Sequence, residues 1–325
     1  MLKFSKILQS PYFLITIFSF IPFLLFFLNS NLIHTHDGLV HLPRMAAYYK
    51  ALGDGQFPVR WAGDLNYGYG MPLFNFIYPL PYYISSFLLF LGLGLANSFK
   101  IVLFLSFLFS GFFMFMFAKE FFKDNKTALL VTVFYQFFPF RLVELLVRGS
   151  FGEVYAYTFL PLVLYGVIKC IRTKTMWSFV LTAFATAFLV LSHNSVSLLF
   201  FGVACLFAIF FSRTRKEAVT TGVALGCGLL LSMFYWFPAI MDHKYTYGDL
   251  YMKVLYMEHF APLKNFFIPN LTNSSAFQTG GIAISLGLMQ ILTLIITVWL
   301  LLKKQIDKTH KKIIVLEDDT ITAPN

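Results

Sequence analysis

The sequence predicts an all-α polytopic membrane protein. Of its 325 residues, 58% are hydrophobic and 12% are charged, whereas a soluble domain is about half apolar and a quarter charged. Phenylalanine alone occurs 42 times. Long apolar runs recur along the chain, and many approach the roughly 20 residues that a helix needs to cross a bilayer. These observations exclude an ordinary soluble domain.

Nine apolar runs are candidates for membrane spans. The first follows Lys3 and Lys6, but its apolar core is too long for a signal peptide and no small-x-small cleavage site follows it. We therefore expect a retained membrane anchor. The nine runs are 11–30, 72–96, 99–118, 127–143, 154–171, 177–192, 195–212, 217–238 and 281–302.

Basic residues predict which side of the membrane each loop faces, because short cytoplasmic loops collect Lys and Arg. The net charge of +10 is concentrated in such loops, which argues against a nucleic-acid partner. If the basic tail 303–325 is cytoplasmic, the other basic loops fall on the same side and 239–280 is external. The basic N-terminus also lies inside, so the first external loop, 31–98, follows the first span. Residues 1–302 are thus the predicted transmembrane domain.

Run 72–96 begins and ends on the external side in this scheme, so it cannot cross the membrane once. Pro79, Pro81 and Gly92 interrupt a helix there, and Tyr82 suits the headgroup boundary. We predict a juxtamembrane or re-entrant segment. The sequence thus predicts about eight transmembrane helices in the cell membrane, with both termini cytoplasmic. The alternative is nine helices and one loop that breaks the charge rule.

The first external loop opens with titratable groups, "HTHDGLVHLPRM" at 34–45. Asp37 could be a general base or a metal ligand, since a carboxylate near the interface suits either role; the alternative is a loop or helix-capping aspartate. Asp37 and His41, with His34 and His36, could also bind a metal. Histidine suits Zn, whereas Mg or Mn favours carboxylates. Otherwise the histidines are interfacial, or one positions a phosphate.

Four external arginines predict a binding site for an anionic, membrane-borne group, because a guanidinium forks onto phosphate oxygens. Arg60 and its neighbour Trp61 lie in a loop rich in Gly, Pro and aromatic residues, typical of ligand-binding loops. The alternatives are headgroup contacts and structural ion pairs, Arg141 with Glu144 and Arg148 with Glu153. The four arginines are Arg44, Arg60, Arg141 and Arg148.

Polar residues at the ends of later helices complete the candidate site. Glu153 opens a helix on the external side, where the helix dipole alone favours a negative charge. His193 and Asn194 lie at a helix end on the same face, where Asn is common for structural reasons. For Glu153, and likewise for His193 and Asn194, a role in the candidate site is the second interpretation.

These motifs resemble a family of prokaryotic multi-pass membrane proteins, the 6-pyruvoyl-tetrahydropterin synthase-related proteins. The resemblance is carried by "HTHDGLVHLPR", "FPVRW", "YGYGMPLFNFIYPLPYY", "FPFRLVELLVRGSFGEVYAYTFLPLVL" and "LSHNS". It covers most of residues 30–200. The family name refers to a soluble pterin enzyme, which a chain of eight spanning helices does not resemble.

The layout is also similar to that of GT-C glycosyltransferases, which carry an acid in the first external loop, juxtamembrane helices and often a second external acid. This resemblance implies that Asp37 and Glu153 are the catalytic acids and that the donor is a polyprenyl-phosphate-linked sugar. Such enzymes usually continue further, so an end at Asn325 indicates a fragment or a minimal version. One rival is a transporter or flippase for an anionic lipid, which predicts charged or broken helices at mid-membrane depth; the sequence shows almost none. The other is a non-enzymatic assembly protein.

Overall fold

The computed structural model of the protein describes residues 10–28, 35–248, 253–254, 260, 262–267 and 285–303. Within these ranges the regular structure is helical, with one isolated antiparallel bridge between Ala62 and Met71. The prediction of an all-α protein is confirmed. His34, residues 304–325 of the expected tail and part of the expected external loop 239–280 lie outside the described residues.

The helices are numbered here in chain order. Between the helices lie two short 3-10 turns, Ile21–Phe23 and His243–Tyr245, and a π-helical turn, Val143–Arg148. The described helices are α1 (Pro11–Phe20), α2 (Leu24–Leu28), α3 (Gly38–Gly53), α4 (Leu73–Phe76), α5 (Leu80–Phe90), α6 (Leu95–Phe122), α7 (Asn125–Gln136), α8 (Pro139–Leu142), α9 (Phe151–Thr173), α10 (Met176–Val190), α11 (Asn194–Phe211), α12 (Arg215–Leu231), α13 (Met233–Asp242), α14 (Lys264–Phe267) and α15 (Leu288–Leu302).

Capping residues explain several helix boundaries. Asp124, Thr175 and Thr214 precede α7, α10 and α12, and each side chain accepts a hydrogen bond from a backbone N–H of the first turn. Lys123 and Lys174 end α6 and α9 in the left-handed conformation, with φ of 57° and 53°. The α6–α7 and α9–α10 connections are therefore tight turns.

Several helices can cross a membrane by length and composition. Three are long enough alone, namely α6, α9 and α11. Two further candidates are bent pairs: α7 continues into 139–148 at 54°, and α12 continues into 233–245 at 66°. The described residues thus hold three to five candidate spans, and four shorter apolar helices accompany them. Apolar runs in the sequence did not reveal these bends.

Helix α9 packs most extensively against its neighbours and lies between α6 and α10. Close to the start of α9, aromatic rings join four helices. Tyr48 of α3 stacks on Tyr82 of α5 at 5.6 Å between ring centroids, and Phe99 of α6 stacks on Phe151 of α9 at 5.1 Å. All four rings are fully buried. Because such rings bury a large area and pack in preferred geometries, they fix α3 at this end of the bundle.

Segment 72–96 contains two short helices before α6 begins. The longer, α5, has 11 residues, so it measures about 16 Å, against about 30 Å for a bilayer core. In the preceding loop, helix α3 begins at Gly38, whose N–H donates to Thr35 Oγ1 at 3.1 Å, and Pro43 lies inside the helix.

The chain divides into two compact units. One comprises residues 1–137 and 141–260, and the other comprises 138–140 and 261–325. In the second unit the described helices are α14 and α15, and the backbone N–H of Leu286 donates to the carbonyl of Phe266 at 2.8 Å. All the polar contacts described below lie within the first unit.

Candidate functional site

Arg148 holds three carboxylates together. Its Nε donates to Asp37 Oδ2 at 3.0 Å, and its Nη1 donates to Glu144 Oε2 at 3.0 Å and to Glu153 Oε1 at 2.6 Å. We call Arg148 with Asp37, Glu144 and Glu153 the carboxylate cluster. The structure therefore brings the acid of the first loop and the acid of α9 onto one guanidinium.

Backbone contacts bring the two loops together. The N–H of His36 donates to the carbonyl of Val147 at 3.0 Å, and the N–H of Asp37 donates to the carbonyl of Arg148 at 2.8 Å. Gly149 follows with φ of +69°. A side chain there would also place Cβ 2.4 Å from Thr35 Oγ1. Glycine is thus required both by the left-handed turn and by the close approach.

We expect Gly149→Ala to destabilise the protein by about 1–3 kcal/mol, since the strained turn and the clash with Thr35 both oppose the native geometry. The midpoint of thermal unfolding in detergent should fall. Gly53→Ala is the matched control, because it sits at an ordinary φ with no atom within 4 Å of the added Cβ. Equal midpoints for the two variants would show that the two loops do not need this close approach.

The side chains of the carboxylate cluster differ in their exposure to solvent. The side chains of Asp37 and Arg148 are 23% and 27% exposed, that of Glu153 is 12% exposed and that of Glu144 is 1% exposed. Glu144 Oε1 has no hydrogen-bond partner among the described residues. Asp37 is thus the most exposed acid of the cluster, and the buried acids lie behind Arg148.

Asp37 directs its side chain to the cluster. It is the N-cap residue of α3, but its carboxylate makes no capping hydrogen bond. Instead its backbone carbonyl accepts from the N–H of His41 at 2.9 Å. Its second carboxylate oxygen, Oδ1, lies 2.6 Å from Nδ1 of His36, a side chain that is 58% exposed. The simple capping interpretation of Asp37 therefore does not explain its carboxylate.

His41 is a buried, neutral part of the scaffold. Its Nδ1 lies 2.9 Å from the Tyr82 hydroxyl, its Nε2 faces the backbone N–H of Phe151 at 3.5 Å, and its ring stacks on Phe151 at 4.6 Å. Burial, with a smaller effect of Arg44, lowers the pKa of His41 to about 3. Both ring nitrogens are thus engaged, which argues against the expected role of His41 as a metal ligand.

The described donor groups are not arranged to hold a divalent metal. Among the described residues, no group of three or more His, Cys, Asp or Glu side chains is placed to hold one ion. The two oxygens of Asp37 contact His36 and Arg148, and Glu153 shares Arg148. A Mg or Mn ion at Asp37 would have to displace a guanidinium that already compensates these charges. We therefore derive no step through a metal.

Arg44 differs from Arg148 in its surroundings. No carboxylate in the described part of the chain lies within ion-pair distance of it. It is half-buried on α3 beside the Tyr82 hydroxyl, and its charge also acts on His41 and Tyr78. Arg44 can therefore offer its donors to an anion without first losing an ion pair.

Arg60 and Trp61 lie outside the cluster. Arg60 donates through Nη1 to Asn75 Oδ1 at 2.6 Å and through Nη2 to the Phe234 carbonyl at 2.9 Å. Trp61 is 45% exposed, and Gly70 lies against its indole. These contacts tie the first loop to α4 and α13.

His193 and Asn194 point to different neighbours. His193 Nε2 lies 3.8 Å from Glu153 Oε1, and its Nδ1 accepts from the N–H of Val196 at 3.2 Å. Burial lowers the pKa of His193. Asn194 donates to the carbonyl of Phe76 at 2.9 Å and accepts from the hydroxyl of Tyr235. His193 thus borders the cluster, whereas Asn194 connects α11 to α13.

Arg141 is the one predicted site arginine that the structure buries among helices. Its Nη1 donates to the carbonyl of Tyr135 at 3.1 Å, its Nη2 donates to Ser110 Oγ at 2.9 Å, and its guanidinium lies 4.3 Å from the Tyr135 ring centroid. It forms no ion pair with Glu144, whose basic partner is Arg148. The structure therefore separates Arg141 from the other candidate residues.

Three residues of this region, Glu144, Tyr78 and Tyr82, were not predicted as its members from the sequence. Glu144 could have been found, because it precedes Arg148 by four residues on a helix, the spacing at which opposite charges meet. Tyr78 and Tyr82 carried no such signal. The sequence places Tyr82 at the headgroup boundary, but its hydroxyl contacts His41, and Tyr78 stacks on His193 at 5.2 Å.

Comparison with known proteins gives the family. Residues 74–320, more than half of the chain, match the model of the 6-pyruvoyl-tetrahydropterin synthase related domain, described as a membrane protein. A protein of Lactococcus lactis subsp. cremoris (strain MG1363), named only "Uncharacterized protein", is 25% identical over 241 residues, which are 71% of this chain and 39% of that protein. The chain thus spans well under half the length of this relative. It belongs to the 6-pyruvoyl-tetrahydropterin synthase-related family of membrane proteins.

Proposed function

We propose that the protein is a membrane glycosyltransferase that moves a sugar from a polyprenyl-phosphate donor to an acceptor hydroxyl. The observation that supports this most is the carboxylate cluster, in which Asp37 is partly exposed and is held in place by Arg148. A transferase needs a positioned base of this kind, because proximity and orientation lower the barrier of a two-substrate reaction.

The proposed step is a single displacement. Asp37 accepts the proton of the acceptor hydroxyl, the acceptor oxygen bonds to the anomeric carbon, and the bond from that carbon to the phosphate oxygen breaks. The electron pair leaves with the polyprenyl phosphate. Glu144 and Glu153 do not touch the substrate in this scheme; they hold Arg148, which in turn orients Asp37.

The leaving phosphate is assigned to Arg44. The donors of Arg148 are already directed to three carboxylates, so a phosphate there would meet like charges. Arg44 has no such neighbour among the described residues and lies beside the hydroxyl of Tyr82. Guanidinium and phosphate form strong charge-assisted hydrogen bonds, which stabilise the charge that develops on the leaving group.

We expect Arg44→Gln to raise the KM for the donor by about tenfold or more, since a charge-assisted hydrogen bond contributes roughly 1.5–3 kcal/mol. The assay is sugar transfer by purified protein from a panel of polyprenyl-phosphate sugars. Lys50→Gln is the control, because Lys50 lies on the same helix and is paired with Asp64 at 2.7 Å. An unchanged donor KM in Arg44→Gln would refute this assignment, and transfer from none of the donors would refute the proposed function.

The finer topology belongs to the same proposal. The number of spans is eight if α1, α10 and α15 cross the membrane in addition to the three long helices and the two bent pairs. Helix α5 then remains in the interface. The termini would be cytoplasmic and the carboxylate cluster external, in an arrangement like that of GT-C enzymes. The short length of α5 supports this count.

Labelling of introduced cysteines tests this topology. In a variant without the native cysteines, we expect Gly63→Cys and Gly94→Cys to react with an impermeant maleimide in intact cells, and Lys126→Cys to react only after permeabilisation. Gly63 and Gly94 flank the two short helices, and a Cβ at either meets no atom within 4 Å. Labelling of Gly63 and Gly94 from opposite sides would contradict the eight-span arrangement.

A second function, transport of an anionic lipid, gains support from two features that the sequence did not show. Two candidate spans are bent at internal breaks, and Arg141 is 5% exposed inside the helices without an ion pair among the described residues. Broken helices and intramembrane charges are typical of transport pathways. Translocation of a fluorescent anionic lipid in proteoliposomes, lost in Arg141→Leu but retained in Asp37→Asn, would favour this alternative.

A further inference from the structure

A cavity of about 680 Å³ lies beside α11, α12 and α13. Its walls are mainly apolar, and Leu198, Phe201, Leu229 and Trp236 contribute large side chains to them. The indole N–H of Trp236 donates to the carbonyl of Leu229 at 2.8 Å, so its ring is fixed in the wall. The cavity is large enough for a ligand, since binding pockets commonly measure roughly 300–1,000 Å³.

One part of the cavity is polar. Asn194, Tyr235 and His243 line it there. The nearby Arg60 donates to the carbonyl of Phe234, the residue before Tyr235. Arg60 forms no ion pair among the described residues. The apolar walls of the cavity suit the hydrocarbon chain of an anionic lipid, and the cation beside its polar lining suits the charged head group.

Asn75 bridges Arg60 and Asp242, the acid of α13. Its Oδ1 accepts from Arg60 at 2.6 Å, and its Nδ2 donates to Asp242 Oδ2 at 2.8 Å. The side chain of Asn75 thus satisfies one oxygen of Asp242, so that Arg60 need not pair with it. The remaining Arg60 donors are available to a ligand.

We propose that this cavity binds the hydrocarbon chain of a lipid monophosphate and that Arg60 binds its phosphate. The inference goes beyond the proposed function, because Arg44 is assigned to the phosphate of the sugar donor and this cavity with Arg60 is a second, separate site. The walls come from candidate membrane-spanning helices, so hydrocarbon chains of the bilayer surround them. A lipid chain is therefore the abundant apolar occupant.

The head group must supply the selectivity. Moving a chain from a bilayer into an apolar cavity gains little hydrophobic free energy, because lipid tails are as apolar as the cavity wall. The discrimination between this lipid and its neighbours then comes from the charge-assisted hydrogen bonds of Arg60. The proposal therefore requires a preference for a phosphate over an alcohol that carries the same chain.

Photocrosslinking of the purified protein tests this requirement. The probes are a short isoprenyl monophosphate with a terminal diazirine and the matching isoprenyl alcohol, and labelled residues are mapped by mass spectrometry. The phosphate should label the cavity wall, including Leu198 and Trp236, more strongly than the alcohol does. Arg60→Gln should weaken apparent binding of the phosphate by about tenfold or more, while Lys50→Gln should not.

Filling the cavity gives an independent check. Ala239 lines it, so Ala239→Phe should suppress the labelling, whereas Leu199→Phe should leave it unchanged because Leu199 is 69% exposed and is not part of the lining. Undiminished labelling in a folded Ala239→Phe protein, or equal labelling by phosphate and alcohol, would overturn the proposal. The experiment uses no sugar and no acceptor. Specific labelling without any sugar transfer would leave the cavity assignment intact and refute only the transferase.

Discussion

Asp37→Asn is expected to lower the turnover of sugar transfer by about 10²–10⁴-fold, the usual effect of removing a positioned general base. Asparagine keeps the shape and an acceptor oxygen for Arg148 Nε, but it cannot take a proton at neutral pH. Arg148 would still pair with Glu144 and Glu153. We therefore expect the fold and the donor KM to change little, so the loss appears in kcat.

The control for this substitution is Asp64→Asn. Asp64 lies in the same loop, and its side chain is 58% exposed and paired with Lys50, an exposed ion pair of a kind that contributes about 0–1 kcal/mol. Its removal should leave kcat unchanged. Full turnover by Asp37→Asn, measured on a donor that the wild type uses, would show that Asp37 is not the base.

The sequence singles out Asp37 and Glu153 as candidates, because charged residues are rare in this chain and their occurrence beside long apolar runs is informative. The pairing of Arg148 with Glu153, considered from the sequence as a structural ion pair, is present in the structure. The sequence could not show that Asp37 joins the same guanidinium, since Asp37 and Arg148 are 111 positions apart and no local pattern signals that contact.

Arg141 and Glu144 show why sequence spacing alone does not predict which ion pairs form. Arg141 and Glu144 are three residues apart, a spacing that permits an ion pair on a regular helix. The chain instead forms a π-helical turn from Val143 to Arg148, and Arg141 is directed to Tyr135 and Ser110. A π-turn changes which side chains share a face, and such turns are frequent at functional sites.

The bends within two candidate spans are absent from the sequence prediction for a similar reason. Hydropathy records how many apolar residues follow one another, but it does not record whether the helix axis continues straight. The bends after Gln136 and Leu231 occur inside apolar runs. Pro139 explains the first, because a proline disfavours helical geometry in the residue before it. Nothing in the composition near Ser232 signals the second bend as clearly.

Arg148→Met should be the most destabilising substitution in the cluster. It removes the cation that Asp37, Glu144 and Glu153 share. Glu144 is the critical partner, since its side chain is 1% exposed and, without the guanidinium, must either stay charged in a buried site or take up a proton. Removing one partner of a buried ion pair costs about 3–5 kcal/mol, which corresponds to a decrease of roughly 5–10 °C in the midpoint of thermal unfolding.

A second substitution separates lost charge compensation from lost packing. Glu144→Gln in the Arg148→Met background should recover part of the decrease, because a neutral amide has no buried charge to compensate. In the wild-type background the same Glu144→Gln leaves Arg148 with Asp37 and Glu153, so its effect alone should be smaller than that of Arg148→Met. If the double variant were as unstable as both single effects added together, the two residues would be uncoupled, and Arg148 could not be the group that holds these carboxylates at one site.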